Sequence, residues 1–80
     1  MMRVLLFARA RDLAHADAVN VALSVGATVG DLRRCLTQEH PQLAGLVERS
    51  GVAIDNEYAE DAALVPATAE VALVPPVSGG

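Results

Sequence analysis

Lysine is missing from this chain; all six cations are arginines, set against ten carboxylates for a net charge of −4. Without a basic stripe and interleaved aromatics, nucleic acid is not an expected ligand. An acidic surface suits a partner with a positive face instead. Tryptophan is also absent, and Phe7 and Tyr58 are the only aromatics. A core must therefore come from Leu, Val, Ile and Ala. A single cysteine, Cys35, excludes an intramolecular disulfide and fits a reducing compartment. Its spacing from Leu32 and Leu36 reads as a small buried hydrophobe rather than a catalytic thiol. No apolar run approaches a membrane span of about 18 residues, and no charged leader with a cleavage site opens the sequence. The expected location is cytoplasmic, with no membrane partner.

What remains is 80 residues, 52% of them apolar, enough for one domain over 1–80 with one compact core. Met2 to Ala8 reads as a central strand buried on both faces. Arg9 to Ala18 is a connection with room for a helical turn around Asp12 to Ala16. Val19, Val21, Leu23 and Val25 alternate as a strand with one wet side. Thr28 and Asp31 have capping-box spacing, and Val29, Leu32 and Leu36 follow as a helical stripe, with Arg33, Arg34 and Gln38 facing away. Pro41 ends that helix and suits the start of a second short one through Leu43, Leu46 and Val47. After the Ser50-Gly51 break, Val52 to Ile54 form a strand, and Asp55-Asn56-Glu57 turns the chain. Tyr58 to Val65 suggests a short strand and a turn at Glu60-Asp61. A loop over Pro66 to Ala69 leads to a last strand, Glu70 to Val74.

The order implies an α+β roll with one main helix across a mixed sheet. The first and last strands are the most apolar and belong at its centre, side by side and parallel. Pro75-Pro76 removes two N–H donors in succession, so the chain must leave the sheet there in extended form. Beyond lie Val77, Ser78, Gly79 and Gly80. Two residues without Cβ can enter a channel too narrow for any side chain, so the tail over 75–80 can present its carboxylate to another protein's active site.

Other chemistry finds little support. His15 and His40 have no cysteine at metal-ligand spacing, and no metal site is expected. Asp55, Glu57, Glu60 and Asp61 fit neither an EF-hand nor a fixed carboxylate pair. Ser24, Ser50 and Ser78 have no neighbouring base, and no glycine-rich phosphate loop is present.

Taken together, Val4-Leu5-Leu6-Phe7-Ala8, Arg11-Asp12-Leu13, Ala27-Thr28-Val29-Gly30-Asp31-Leu32, Pro41-Gln42-Leu43, Val52-Ala53-Ile54 and the run from Glu70 to Gly80 resemble the small, sulfur-carrying subunit of molybdopterin synthase. That family has a β-grasp fold of the ubiquitin-like superfamily. The ending Pro75-Pro76-Val77-Ser78-Gly79-Gly80 is its most specific element. The chain departs from the family in two turns, with Thr68-Ala69 where Gly-Asp is common and Asp55 before Asn56 where Asn follows the third strand.

The resemblance implies that Gly80 reacts. An E1-like activating enzyme would use ATP to adenylate its carboxylate, a sulfurtransferase donor would leave a thiocarboxylate, and no cofactor would be bound by the chain itself. The tail, Pro75 to Gly79, would thread partner active sites, including that of the synthase large subunit. There sulfur would pass to cyclic pyranopterin monophosphate, in a heterotetramer of two carriers and a large-subunit dimer. Phe7, Tyr58 and Val74 match apolar positions that contact the large subunit, although core packing is the simpler reading of Phe7 and Val74. Arg11 is a further interface candidate, able to hold a partner carboxylate bidentately. Three alternatives stay open: a carrier for thiazole, cysteine or tRNA thiolation, a ubiquitin-like protein modifier, and a small interaction module with a frayed end.

Overall fold

The structure, a computed structural model, describes residues 1–76. Five strands form one mixed sheet: β1 (Met2–Leu6), β2 (Ala18–Val21), β3 (Gly51–Ile54), β4 (Glu57–Tyr58) and β5 (Val71–Val74). Their spatial order is β2-β1-β5-β3-β4, with β5 in the middle. As expected, β1 and β5 are parallel neighbours, with Leu6 level with Leu73; every other pairing is antiparallel.

The helices are α1 (Ala8–Ala14), α2 (Val29–Glu39) and α3 (Ala44–Val47), the last preceded by a 3-10 turn at Pro41–Leu43. The Thr28 hydroxyl accepts from the Asp31 N–H at 3.2 Å, and the Asp31 carboxylate accepts from the Thr28 N–H at 2.9 Å. This reciprocal capping box starts α2 where the sequence places it. Val29, Leu32 and Leu36 are fully buried and join Val4, Leu6, Val21, Val52, Val71 and Leu73 in one core cluster. Each such side chain contributes about 1.5–3 kcal/mol relative to exposure. This is the α+β, ubiquitin-like β-grasp expected, with one main helix across a mixed sheet.

Four local expectations are corrected. β1 stops at Leu6, and its burial alternates, because the helices cover one face of the sheet and leave Arg3 exposed on the other. The first connection carries a helix over Ala8–Ala14 rather than a turn at Asp12 to Ala16, since its Ala- and Arg-rich run is a good helix former. β2 ends at Val21, and Val25 stands 95% exposed in a turn with Gly26. There the N–H of Ala22 donates to the Glu39 carboxylate instead of extending a ladder. Arg33 does not face away but turns back against the protein, as described below. Cys35 is half-buried, its thiol 3.6 Å from the Ala22 carbonyl.

The stretch after Ile54 resolves more simply than its sequence suggests. Asp55 and Asn56 take φ of 50° and 69°, the two positive angles of a type I′ hairpin turn. Glu57–Tyr58 then pairs with Ala53–Ile54, and a turn over 60–63 follows. Leu64 makes only an isolated bridge to Thr28.

Candidate functional site

The end of the sheet from which Pro75 departs gathers three of the four interface candidates. Val74 closes the central strand and pairs with Gly51 on β3. Parallel pairing of Leu6 with Leu73 brings Phe7 level with Val74 on the other side. Tyr58 lies opposite Ala53, two residues from Gly51. Phe7 is 47% exposed and Tyr58 73% exposed, while Val74 is half-buried. The core reading of Phe7 is therefore overturned. It caps the N-terminus of α1 with an extended backbone, and it alternates outward from buried Leu6.

These residues continue an apolar row across the open face. Strand register aligns Ala18, Leu5, Ala72, Ala53 and Tyr58 from one edge of the sheet to the other. Ala18, Ala72 and Ala53 are small, and the exposed large side chains at this end are Phe7 and Tyr58. Sequence reasoning missed Leu5, Ala53 and Ala72, whose common face emerges only from register. An exposed apolar surface is a feature that interaction sites share.

Arg11 stands apart from that face, on α1. It is more than half exposed and lies 4.0 Å from the exposed Asp17 carboxylate, a contact of little energy. Its guanidinium is open to a partner.

Pro75 is buried and Pro76 exposed, so the described chain comes to the surface at Pro76. Val77, Ser78, Gly79 and Gly80 lie outside the described residues.

Behind the exit, Arg33 stabilises the corner that starts β3. Its Nη1 donates to the carbonyls of Val47 at 2.5 Å and Ser50 at 2.8 Å, and its Nε donates to Asp61 at 2.9 Å. The buried Ser50 hydroxyl donates to the Leu46 carbonyl at 2.7 Å. The Leu46 and Val47 carbonyls also accept from the N–H groups of Arg49 and Ser50, so these side chains add second donors and tie the end of α3 to the start of β3.

Two further titratable groups bond the backbone. His40 Nε2 lies 3.0 Å from the Asn20 carbonyl, and Asp55 accepts from the Glu70 N–H at 2.9 Å. The acidic residues near the hairpin are thus partly engaged with backbone and with Arg33. Among the described residues, no group of three or more His, Cys, Asp or Glu side chains is placed to hold a metal ion. No described helix is long and apolar enough to cross a membrane.

Against known proteins, the likeness covers the whole length. The chain is 34% identical over 79 residues to the molybdopterin synthase sulfur carrier subunit of Arabidopsis thaliana, covering 99% of this chain and 82% of that one. It is 32% identical over 81 residues to the protein of the same name from Chlamydomonas reinhardtii, covering 99% and 98%. Among solved structures, SAMP1 from Haloferax volcanii superposes with a TM-score of 0.82 at 32% identity, covering 98% of this chain and 97% of that one. The ThiS family profile matches residues 4–80, and the chain belongs to the ThiS family.

Proposed function

We propose that this protein is a sulfur carrier of molybdenum cofactor biosynthesis, the small subunit of a molybdopterin synthase. The observation that carries the reading is full-length similarity to sulfur carrier subunits, combined with a Pro75-Pro76 exit from the central strand and Gly79-Gly80 beyond it. The domain spans 1–80, and 75–80 is its working tail.

A carboxylate is a poor electrophile, so Gly80 must first be activated. An E1-like enzyme joins the Gly80 carboxylate to the α-phosphate of ATP and releases pyrophosphate. Persulfide sulfur from a sulfurtransferase attacks the acyl carbon and expels AMP. Reductive cleavage of the S–S bond by a thiol leaves the thiocarboxylate. In the large subunit, that soft nucleophile attacks a side-chain carbon of cyclic pyranopterin monophosphate, and the C–O bond at that carbon breaks as the C–S bond forms. Hydrolysis of the resulting acyl–sulfur bond leaves sulfur on the pterin and returns the Gly80 carboxylate. The large subunit supplies the acid–base groups, and two carriers serve one large-subunit dimer in the cytoplasm. Phe7, Tyr58, Val74 and Arg11 dock the carrier, while Pro75 to Gly79 thread the tail; the chain itself binds no cofactor.

Intact mass spectrometry of protein purified from its own cells, with the terminal peptide fragmented, tests the reading. The expected species has one oxygen replaced by sulfur, confined to Gly80. Deleting Gly79-Gly80 should abolish pterin conversion at unchanged stability. An unmodified tail in sulfur-replete cells containing the activating enzyme would falsify the carrier assignment. The similarity to a small archaeal modifier protein favours a second reading, attachment of Gly80 to partner lysines. Isopeptide-linked adducts without a thiocarboxylate would select that reading.

A further inference from the structure

Gly51 is not explained by its own backbone. Its φ lies outside the left-handed region in which glycine is favoured, and it sits in an ordinary antiparallel pairing with Val74. The side chain it lacks is the informative part. A Cβ at this position would fall 2.6 Å from Tyr58 Cε1, 2.9 Å from Cδ1 and 3.7 Å from Cζ. The first two distances are not tolerated, and the obstruction is an aromatic ring rather than a flexible chain end.

Register gives the ring a direction. Tyr58 is paired with Ala53, yet the Cδ1–Cε1 edge of its ring reaches Gly51, the next residue on the same face towards the tail exit. Gly51 in turn is paired with Val74, the last residue of β5. The ring therefore leans along the sheet towards the point where the chain leaves it. Tyr58 nevertheless remains 73% exposed, so the seat orders the ring without burying it. Packing an aromatic ring against a strand glycine also offsets part of what that glycine costs the sheet.

We infer that Gly51 is a positioning residue, the side-chain-free seat that aims the Tyr58 ring at the tail exit for docking the partner that receives the tail. This deepens the proposed function and rests on it. With the ring seated, Tyr58 and Val74 form one apolar shelf beside Pro75, continued by Phe7 across β5. The matching partner surface is apolar and surrounds the mouth of a narrow channel. A pre-placed ring lowers the ordering cost of association.

The test combines Gly51→Ala, Tyr58→Phe, Tyr58→Ala and the double variant Gly51→Ala/Tyr58→Ala, each checked by thermal melting. In the free protein, NMR should show the Gly51 Hα resonances displaced by the ring current of Tyr58. That shift should persist in Tyr58→Phe and vanish in Tyr58→Ala. Calorimetric titration with the molybdopterin synthase large subunit from the same genome then measures docking. Gly51→Ala should weaken binding roughly tenfold when Tyr58 is present and change it little in the Tyr58→Ala background, while Tyr58→Phe binds like the wild type. Wild-type affinity in folded Gly51→Ala, or an equal loss in both backgrounds, overturns the inference. A wild-type chain that fails to bind overturns the proposed function and the docking role together, and the NMR shift still reports whether the seat exists.

Discussion

Arg33 donates to the carbonyl of Ser50 at 2.8 Å, linking the middle of the main helix to the residue before the strand that flanks the tail-bearing one. The same nitrogen donates to Val47 and the same guanidinium to Asp61, so three separate segments meet on one side chain. Only 21% of that side chain is exposed, which strengthens its bonds relative to a surface pair.

Arg33→Ala should therefore destabilise the protein by about 2 kcal/mol, the range for hydrogen bonds to a charged group whose partners are left partly unsatisfied. Arg33→Lys should recover only part of the loss, because a single ammonium cannot reproduce the planar fork. Urea unfolding of the three proteins checks both statements. A loss in Arg33→Ala within the error of a surface substitution would show that water replaces the contacts freely.

The capping box makes a pH prediction. Hydrogen bonds from the Thr28 backbone and side chain, the largest causes, hold the Asp31 carboxyl below the ordinary aspartate range, assisted by Arg34. A group depressed on folding contributes stability that is fully present above its unfolded pKa. That contribution is lost as pH falls through the depressed value. Acid unfolding curves of the wild type and Asp31→Asn should thus differ most near neutral pH and converge in acid. Thr28→Ala, which removes the cap acceptor, should cost about 1 kcal/mol at neutral pH. Parallel pH profiles for wild type and Asp31→Asn would contradict the linkage.

Ala8 takes φ of 50° immediately after Phe7, a left-handed angle that disfavours a residue with Cβ. Ala8→Gly should relieve this and raise stability by about 0.5–1 kcal/mol, less whatever entropy glycine adds to the unfolded chain. Differential scanning calorimetry reads the sign directly. A lower melting temperature would mean the unfolded-state entropy dominates.

The outer edge of β2 is guarded by the end of α2. His40 reaches the Asn20 carbonyl at 3.0 Å, and Glu39 accepts from the Ala22 N–H at 3.0 Å. Removing both in Glu39→Ala/His40→Ala should leave these groups free to pair with another strand. Sedimentation velocity across a concentration series should then show self-association that the wild type lacks. A double variant that stays monomeric at the highest concentration would place the protection elsewhere.

The contrast between what was legible and what was not follows the range of the interactions. The Thr28–Asp31 cap, the Val29-Leu32-Leu36 stripe and the central parallel pairing of the first and last strands rest on spacing and hydropathy, and the sequence reading of them agrees with the structure. α1 was obscured because Phe7-Ala8 extends the apolar run of β1 without a polar break. The sequence pattern overextends β2, because Leu23 and Val25 keep alternating beyond the point where Glu39 takes the Ala22 N–H. The bonds of Arg33 span 14 to 28 residues and carry no local signal. At the exit, Phe7, Tyr58 and Val74 were reachable by resemblance, whereas Gly51 read only as a break in the pattern.

The place of β5 in the sheet has a mechanical meaning. A partner that grips the chain at Pro76 and pulls loads the middle strand along its own length, against β1 on one side and β3 on the other. Hydrogen bonds in both ladders must then yield together in shear, not one at a time as they would if an edge strand were peeled. The strand that leads into the tail is thus rooted where traction is best resisted, and pulling on the chain there need not unravel the domain.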